Sequence, residues 1–242
     1  MRTLISVVTP VHIELKEELD YLRELVLTFS QQTYTNKELI ISDDLANHQV
    51  KELCDEYRQL GLRVTYILGP VRGISSNLNY AIASANGKFI KILFQDDFFT
   101  SRFALSLIWL KLRFSKKHWH VCASVTFLQS NQSYSKTFKP KPGNQLLDGI
   151  NSISSPSVVT FKSKMRIEFR PELNYLMDCE WYLRMSHRVG LPIFGRYALV
   201  ANRVHNSQAT NWAKKNLARE SEISREMHNE TCMESNKCKC TL

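Results

Sequence analysis

Short apolar runs alternate with segments of helical periodicity through about the first 100 residues. Runs rich in Val, Ile and Leu predict buried strands, and apolar residues spaced three and four apart predict helices. Alternation of this kind, with short links, predicts βαβ units and a parallel sheet with right-handed crossovers. The predicted strands are 4–10 (ended by its proline), 38–44, 62–67 and 89–94, and the predicted helices are 15–31, 50–60 and 75–85.

The pattern is less regular after residue 97. We expect an α/β, Rossmann-like fold: a mostly parallel sheet flanked by helices, with a small antiparallel portion in the second half. One domain is expected over 1–228, with a nucleotide-binding half at 1–100 and the other wall of the crevice at 101–228. The tail 229–242 is expected to be disordered. Helices are predicted at 100–115, 178–189 and 209–228, and strands at 121–128, 133–138, 157–161 and 193–200.

Composition narrows the class of protein. The chain has 32 Lys and Arg against 23 Asp and Glu, a net charge of +9 that we read as spread along the sequence. With no nucleic-acid module, this charge favours phosphorylated substrates or an anionic membrane surface as the partner. For the basic residues of the last helix, peripheral contact with a membrane is the less favoured interpretation. No signal-peptide pattern or membrane-length apolar stretch occurs, so a cytoplasmic protein is expected. The cysteines do not resemble a disulfide framework.

Two predicted strands end in paired carboxylates, Asp43-Asp44 and Asp96-Asp97. Carboxyl ends of parallel strands border the ligand crevice, so both pairs are expected to converge there. Four carboxylates repel one another unless cations or hydrogen-bond donors lie among them. Mg²⁺ or Mn²⁺ with a substrate diphosphate fits this need, since such ions take one or two protein carboxylates plus phosphate oxygens. The alternative is that Asp96 and Asp97 only cap the next helix.

Six ordered motifs together resemble the family 2 glycosyltransferases, which have the GT-A fold. They are residues 6–12 (SVVTPVH), 31–34 (QQTY), 38–44 (ELIISDD), 73–82 (GISSNLNYAI), 85–90 (ANGKFI) and 95–97 (QDD). The resemblance spans about residues 4–210. It implies that a sugar is transferred from a nucleotide diphosphate donor to a hydroxyl of a glycan or other acceptor, usually with Mn²⁺ or Mg²⁺ and with inversion.

The resemblance also implies roles on the donor side. Asp44 matches the residue that hydrogen-bonds the base, typically uracil, so a UDP-sugar is expected. Asp96 matches the residue near the ribose, and Asp97 matches the direct metal ligand. Other donor-binding residues implied are Pro10 and His12 in the first loop, Asn79 on the third helix, and Arg72, which would replace a common Arg at the position of Leu78.

In the second half, residues 177–184 (MDCEWYLR) and 203–205 (RVH) resemble two further family segments. Asp178 falls on the catalytic base, which takes the acceptor proton. Glu180 and Trp181 are expected on the acceptor side, where the indole could stack on a sugar. The alternatives are that Trp181 packs in the core and that Glu180, not Asp178, is the base. His205 is expected to complete the metal or diphosphate site.

Three departures from the family pattern, at His12, Leu78 and Phe94, leave two other functions open. One is a catalytically silent protein that binds sugar nucleotides or acts as a scaffold. The other is a nucleotidyltransferase, which the absence of a Gly-rich loop after the first strand disfavours. Asp178 also has an alternative interpretation as a helix N-cap.

Overall fold

The computed structural model describes residues 3–69, 73–208, 211 and 214–235, with side chains described as far as residue 228. A nine-stranded sheet forms the centre, in the order β3-β2-β1-β4-β8-β6-β9-β5, with β7 paired to β6. The strands are β1 (Ile5–Val11), β2 (Lys37–Asp43), β3 (Val64–Leu68), β4 (Phe89–Ile92), β5 (Phe98–Phe99), β6 (Trp119–Leu128), β7 (Ser133–Phe138), β8 (Val159–Lys162) and β9 (Ile193–Val204). The helices are α1 (Lys16–Ser30), α2 (His48–Gln59), α3 (Ile74–Ala83), α4 (Ala104–Arg113), α5 (Met177–Val189) and α6 (Leu217–Ser235).

The first four strands form the predicted parallel sheet. β1 pairs in parallel with β2 on one side and with β4 on the other, and β3 adds to β2. All seven residues of β1 are buried, as the continuous apolar run indicates. The strand does not end at Pro10 as predicted but continues to Val11. Val8 accepts from Leu93 on the β4 side and Val11 accepts from Asp44 on the β2 side, so by alternation Pro10 faces the β4 side. The ladder with β4 stops at Val8, so the missing N–H of Pro10 costs no ladder bond.

The second half adds antiparallel strands around one further parallel pair. β8 pairs antiparallel with β4 and β6, and β7 pairs antiparallel with β6 as predicted, while β6 and β9 run parallel. The helix predicted at 100–115 begins only at Ala104, because Phe98 and Phe99 first pair with β9. The second half is therefore continuous with the first sheet, and its strands extend the same crevice edge.

The last helix, α6, runs to Ser235 and so passes the boundary predicted at residue 228. Residues 236–242, with two of the three tail cysteines, lie outside the described residues. Among the helices described, none combines the length and hydropathy needed to cross a membrane.

Candidate active site

The loops after β1 and β4 are joined by reciprocal hydrogen bonds. The backbone N–H of His12 donates to Oε1 of Gln95 at 2.6 Å, and Nε2 of Gln95 donates to the carbonyl of His12 at 2.9 Å. Asp44, just after β2, lies with Oδ1 2.8 Å from Nδ1 of His12. The His12 side chain is 49% exposed and that of Asp44 only 3%. The imidazole therefore presents a flat polar surface at the crevice, with the carboxylate behind it.

The two aspartates at the end of β2, Asp43 and Asp44, make different contacts. Asp43 is fully buried and accepts hydrogen bonds from the N–H of Leu45 at 3.0 Å, the N–H of Asn47 at 2.6 Å and the hydroxyl of Tyr66 at 2.9 Å. Its carboxylate is used by the turn into α2 and by β3. The expectation that all four aspartates converge is therefore wrong for Asp43.

On α3, Asn79 makes contacts that differ from the prediction. Both polar atoms of its side-chain amide bond the backbone of Phe169: Nδ2 donates to the carbonyl and Oδ1 accepts from the N–H, each at 2.7 Å. Asn79 ties α3 to the second half, which does not fit the donor contact implied for it. Asn77 instead donates to the carbonyls of Val11 and Ser42 at 3.0 and 2.9 Å, at the ends of β1 and β2.

The Asp96-Asp97 segment after β4 is held by Arg203, near the end of β9. Its N–H donates to Oδ1 of Asp97 at 3.0 Å, and its Nε donates to the carbonyl of Asp96 at 2.9 Å. The guanidinium is 2% exposed, pairs with Glu24 of α1 at 2.5 Å and contacts Gln129. It also lies over three aromatic rings, those of Tyr21, Phe98 and Phe127, at 4.5, 5.0 and 5.1 Å from the centroids. A buried, fully bonded arginine therefore fixes the position of the Asp-Asp segment.

The structure places His205 beside Asp96, not beside Asp97. Its Nε2 lies 3.2 Å from Oδ2 of Asp96, its Nδ1 lies 2.9 Å from Oγ of Ser207, and its ring packs on Tyr21 with centroids 5.0 Å apart. The side chain of Asp96 is 25% exposed, whereas Asp97 is almost fully buried. Asp96 is therefore the partly exposed carboxylate of this segment, and its imidazole partner, His205, is only 6% exposed.

Asp97 is poorly solvated and close to a second carboxylate. Burial, and then the negative charge of Asp96, raises the pKa of its carboxyl to about 8. Its oxygens accept from the N–H of Arg203 and, at 3.4 Å, from the hydroxyl of Ser155. A cation beside these two carboxylates would offset the charge of Asp96 and favour the ionised form of Asp97.

The residues present fit a divalent metal that is completed by a diphosphate. Among the described side chains, no group of three or more His, Cys, Asp and Glu is arranged to hold a metal alone. Mg²⁺ needs only one or two protein carboxylates when phosphate oxygens fill the other positions. Asp96, Asp97 and His205 supply such a partial set.

Asp178 lies in the first turn of α5, one residue after the helix begins. Its Oδ2 accepts from Nδ2 of Asn151 at 2.7 Å and its Oδ1 from the N–H of Cys179 at 2.7 Å. Burial raises the pKa of this carboxyl to about 6, although hydrogen bonds from the N–H of Cys179 and from Asn151 act in the opposite direction. The group is ionised at neutral pH and remains basic enough to accept a proton.

The N-cap interpretation of Asp178 is wrong. Leu176 is the N-cap residue, and the free N–H groups before the helix are bonded from another element. Glu220, which is 3% exposed on α6, accepts from the N–H groups of Asn174, Tyr175 and Leu176 at 3.1, 2.8 and 2.9 Å. Asp178 is therefore not needed to cap α5.

One loop, residues 151–155, joins the two acidic centres. Asn151 bonds Asp178 at its start, and Ser155 bonds Asp97 at its end. Between them Ser154 has φ of 92°, an uncommon conformation for a residue with a side chain. Its carbonyl accepts from Asn151 and from the hydroxyl of Tyr182 at 3.0 and 2.9 Å. The loop is thus held at both ends and in the middle.

The two acceptor residues predicted on α5 are buried, so the structure contradicts that prediction. Glu180 is 5% exposed and pairs with Arg170 at 3.0 Å and with Arg184 at 2.7 Å. Trp181 is fully buried, stacks on Phe169 with centroids 5.0 Å apart, and donates to the carbonyl of Ile167. Their places in the helix turn them toward the core, while Asp178 faces the loop 151–155.

Two other residues predicted to bind the donor are Pro10 and Arg72. Pro10 is buried within β1 and can contribute only backbone shape. Arg72 lies outside the described residues. Sequence reasoning missed Asn77, Gln95, Asn151, Ser155, Arg203 and Glu220. Gln95 and Arg203 adjoin motifs already recognised, but nothing in the sequence pairs Glu220 with residues 174–176.

Comparison with known proteins identifies the fold. The model of the family "Glycosyl transferase family 2" matches residues 6–188. An uncharacterized glycosyltransferase of Rickettsia typhi is 25% identical over 227 residues, which cover 88% of this chain and 68% of the relative. The glycosyltransferase GlyG of Streptococcus pneumoniae is 35% identical over 98 residues, 40% of this chain and 31% of the relative.

Solved structures show the same architecture at low identity. A mannosyltransferase of Pyrobaculum calidifontis, in complex with GDP-Man and Mn²⁺, has a TM-score of 0.69 at 13% identity, covering 94% of this chain and 65% of that one. S. aureus TarS 1-349 in complex with UDP-GlcNAc has a TM-score of 0.67 at 14% identity, covering 91% and 66%. The chain thus spans about two thirds of the length of these structures.

Proposed function

Because the chain belongs to glycosyl transferase family 2, we propose that it transfers a sugar from a nucleotide diphosphate sugar to an acceptor hydroxyl, with inversion at the anomeric carbon. The observation that carries the proposal is the loop 151–155, which bonds Asp178 at one end and Asp97 at the other. A base and a diphosphate-binding centre that share one rigid support are what a direct displacement needs.

Asp178 is the proposed general base. Its carboxyl has a pKa of about 6, so near neutral pH it is ionised and can take the proton from an attacking hydroxyl. Asn151 and the N–H of Cys179 hold the carboxylate in place. No second carboxylate is needed as a nucleophile when the configuration is inverted, in contrast to retaining glycoside hydrolases.

The proposed donor site lies at the ends of β1, β2 and β4. Asp44 would accept a hydrogen bond from the ring N–H of uracil, and the half-exposed ring of His12 would pack on the base. Adenine and cytosine have no such ring donor, whereas uracil, thymine and guanine do, so the carboxylate disfavours adenosine and cytidine donors. A UDP-sugar is the donor that we propose within this set. Asp96 lies further along the same edge, where the ribose and diphosphate would follow.

Mn²⁺ or Mg²⁺ is the proposed cofactor, held by Asp96, Asp97 and His205 together with the donor. When bound, such an ion supplies charge that stabilises the departing diphosphate. Burial, together with the negative charge of Asp96, raises the pKa of Asp97 to about 8, and a cation at this position would favour the ionised carboxylate. A mannosyltransferase of the same fold was solved with GDP-Man and Mn²⁺. We propose that residues 1–228 act as one domain, with the donor half at 1–100 and the acceptor half at 101–228.

The proposal is tested by a thermal-shift screen of nucleotide sugars with and without Mn²⁺, followed by an assay for nucleoside diphosphate release. A donor at 100 times its dissociation constant stabilises the fold by about 2.7 kcal/mol, which raises the Tm by on the order of 5 °C in a chain of this size. No shift with any donor in Mn²⁺ would refute the donor site. Binding without release, with glycan acceptors supplied, would favour the catalytically silent alternative.

A further inference from the structure

The positive charge of the chain is concentrated in one segment, contrary to the even spread inferred from composition. Residues 98–147 contain eight of the 32 Lys and Arg and none of the 23 Asp and Glu, leaving 24 basic against 23 acidic residues elsewhere. All eight cationic side chains of this segment are exposed. The segment includes α4 and the residues on either side of it.

The outer face of α4 also exposes large apolar side chains. Phe103, Leu110 and Phe114 are 50%, 50% and 75% exposed. Leu110 lies within α4, and Phe103 and Phe114 are the residues immediately before and after it. Their spacing of seven and four residues is that of one helix face, so we treat the three as one stripe. The opposite side of α4 is buried in the core through Leu105, Ile108 and Leu112. The exposed apolar side chains of the stripe are therefore not the ones that pack against the sheet.

Basic residues border this stripe. Those within and beside α4 are Arg102, Lys111, Arg113, Lys116 and Lys117. The guanidinium of Arg102 lies 5.0 Å from the ring centroid of Phe103, and that of Arg113 lies 5.5 Å from that of Phe114. Each arginine thus sits next to an exposed aromatic ring, with the charge available on the outside.

A groove continues the surface from α4 onto β9. It has a volume of about 730 Å³ and is lined by Leu110, Phe114, Lys116, Lys117 and the segment 192–194. Its walls are mainly aliphatic and aromatic carbon, and lysines stand at its rim. An apolar floor with a cationic rim matches the two parts of an anionic lipid, the acyl chain and the headgroup.

From these observations we propose that the α4 surface, residues 102–117 with the groove, docks on an anionic lipid membrane. A helix that lies in a bilayer interface presents an apolar stripe between basic residues, as α4 does. An acidic protein would satisfy the lysines and arginines but gives no reason for exposing Phe114 beside them. The proposal does not depend on the transfer reaction, and its test needs no donor.

The test is sedimentation of the full chain with vesicles of phosphatidylcholine alone or with 30% phosphatidylglycerol, at about 0.1 M salt. We expect binding only to the anionic vesicles, weakening as salt is raised. Each Lys near such a surface contributes about fivefold to partitioning, so Lys116→Gln with Lys117→Gln should weaken binding on the order of 30-fold. Phe114→Ser should weaken it further than charge removal alone predicts.

Matched controls lie elsewhere on the same chain. Lys214→Gln with Lys215→Gln removes the same charge from an exposed turn, and Leu60→Ser removes an apolar side chain that is 70% exposed immediately after α2. Both controls should change partitioning less than twofold. Equal losses in the control and α4 pairs would refute a defined docking surface, as would failure of the unmodified chain to bind.

A second copy of the chain is the competing occupant of this face. Analytical ultracentrifugation without lipid separates the two, since the α4 variants should leave the sedimentation coefficient unchanged. A dimer that Phe114→Ser dissociates would overturn the membrane proposal. All of these side chains are exposed, so the Tm of each variant should stay within about 2 °C of the unmodified chain.

Discussion

The two Asp-Asp pairs of the crevice both follow an apolar strand sequence, but their members make different contacts. After β2, Asp43 is used by the turn and Asp44 stands beside His12. After β4, Asp97 is held from β9 and Asp96 stands beside His205. Each pair therefore offers one carboxylate with a histidine partner. The difference is the buried member: Asp43 accepts from two N–H groups and a tyrosine hydroxyl, while Asp97 accepts from one N–H and from serine hydroxyls and has a raised pKa. We therefore propose the cation at the second pair.

The largest effect is expected from a variant of Asp178, a carboxylate outside both pairs. Asp178→Asn keeps the size of the side chain but removes its basicity. We expect the transfer rate to fall ~10²–10⁴-fold, the usual contribution of a general base. Donor affinity should stay within about twofold, because Asp44, Asp96 and Asp97 are untouched. Single-turnover transfer and calorimetric donor binding measure the two effects separately.

The matched control is Glu180→Gln on the same helix. Glu180 is engaged by two arginines, so this variant should lower the Tm without a specific loss of turnover. Near-normal transfer by Asp178→Asn would mean that another group is the base.

Within the second pair, Asp97→Asn should weaken Mn²⁺-dependent donor binding on the order of 100-fold, an effect at the upper end for groups around a metal. The fold should survive, since Oδ1 of asparagine can still accept from the N–H of Arg203. Donor titrations with Mn²⁺ and with EDTA measure the loss. If affinity in Mn²⁺ is unchanged while Asp96→Asn abolishes it, then Asp96 with His205 is the metal pair.

The first pair should separate stability from specificity. Asp43→Asn places an amide donor among the N–H of Leu45, the N–H of Asn47 and the hydroxyl of Tyr66, which we expect to cost about 2 kcal/mol. Asp44→Asn should cost less and should reduce the preference for uridine over adenosine diphosphate. Thermal melts and competition binding with the two nucleotides report these outcomes. A loss of nucleotide preference in Asp43→Asn at unchanged stability would reverse the assignment.

The sequence predicts those parts of the structure that depend on local patterns, and not those that depend on contacts between distant residues. Alternating apolar runs are local, so β1 to β4 and α1 to α3 were predicted within a few residues. Paired aspartates at strand ends located the crevice, because parallel topology brings such ends together. Which aspartate of a pair faces the crevice depends on distant partners such as Tyr66 and Arg203, and no local pattern encodes these.

The errors have the same origin. Glu180 and Trp181 carry chemistry suited to an acceptor site, but helix phase and the partners Arg170, Arg184 and Phe169 bury them. The role of Glu220 follows only from where α6 packs. Contacts between residues far apart in sequence therefore decide which polar residues are structural and which remain available.

The smallest expected effect is a pH dependence that distinguishes the two pairs. Asp97 has a folded-state pKa of about 8, above its ordinary value of 3.8, so the folded chain holds a proton that the unfolded chain has released. Stability should therefore fall as pH rises toward 8, by at most about 1.4 kcal/mol per unit. Lys37 and Lys91, whose pKa values burial lowers to about 8, oppose this slope near pH 8, and Asp178, with a pKa of about 6, adds to it near pH 6.5. The contribution of Asp97 between about pH 6.5 and 8 is therefore the difference between the unmodified chain and Asp97→Asn.

Urea unfolding of the metal-free chain at pH 6.5 and pH 8 measures this slope. Mn²⁺ should stabilise the fold more at pH 8, where Asp97 is more readily ionised and free to bind the cation. Asp97→Asn should flatten the slope, while Asp44→Asn should leave it intact, because the first pair holds its charges with neighbouring donors. An unchanged slope in Asp97→Asn would show that Asp97 is ionised without a cation. The two pairs would then be electrostatically equivalent, and the argument for metal at the second pair alone would fail.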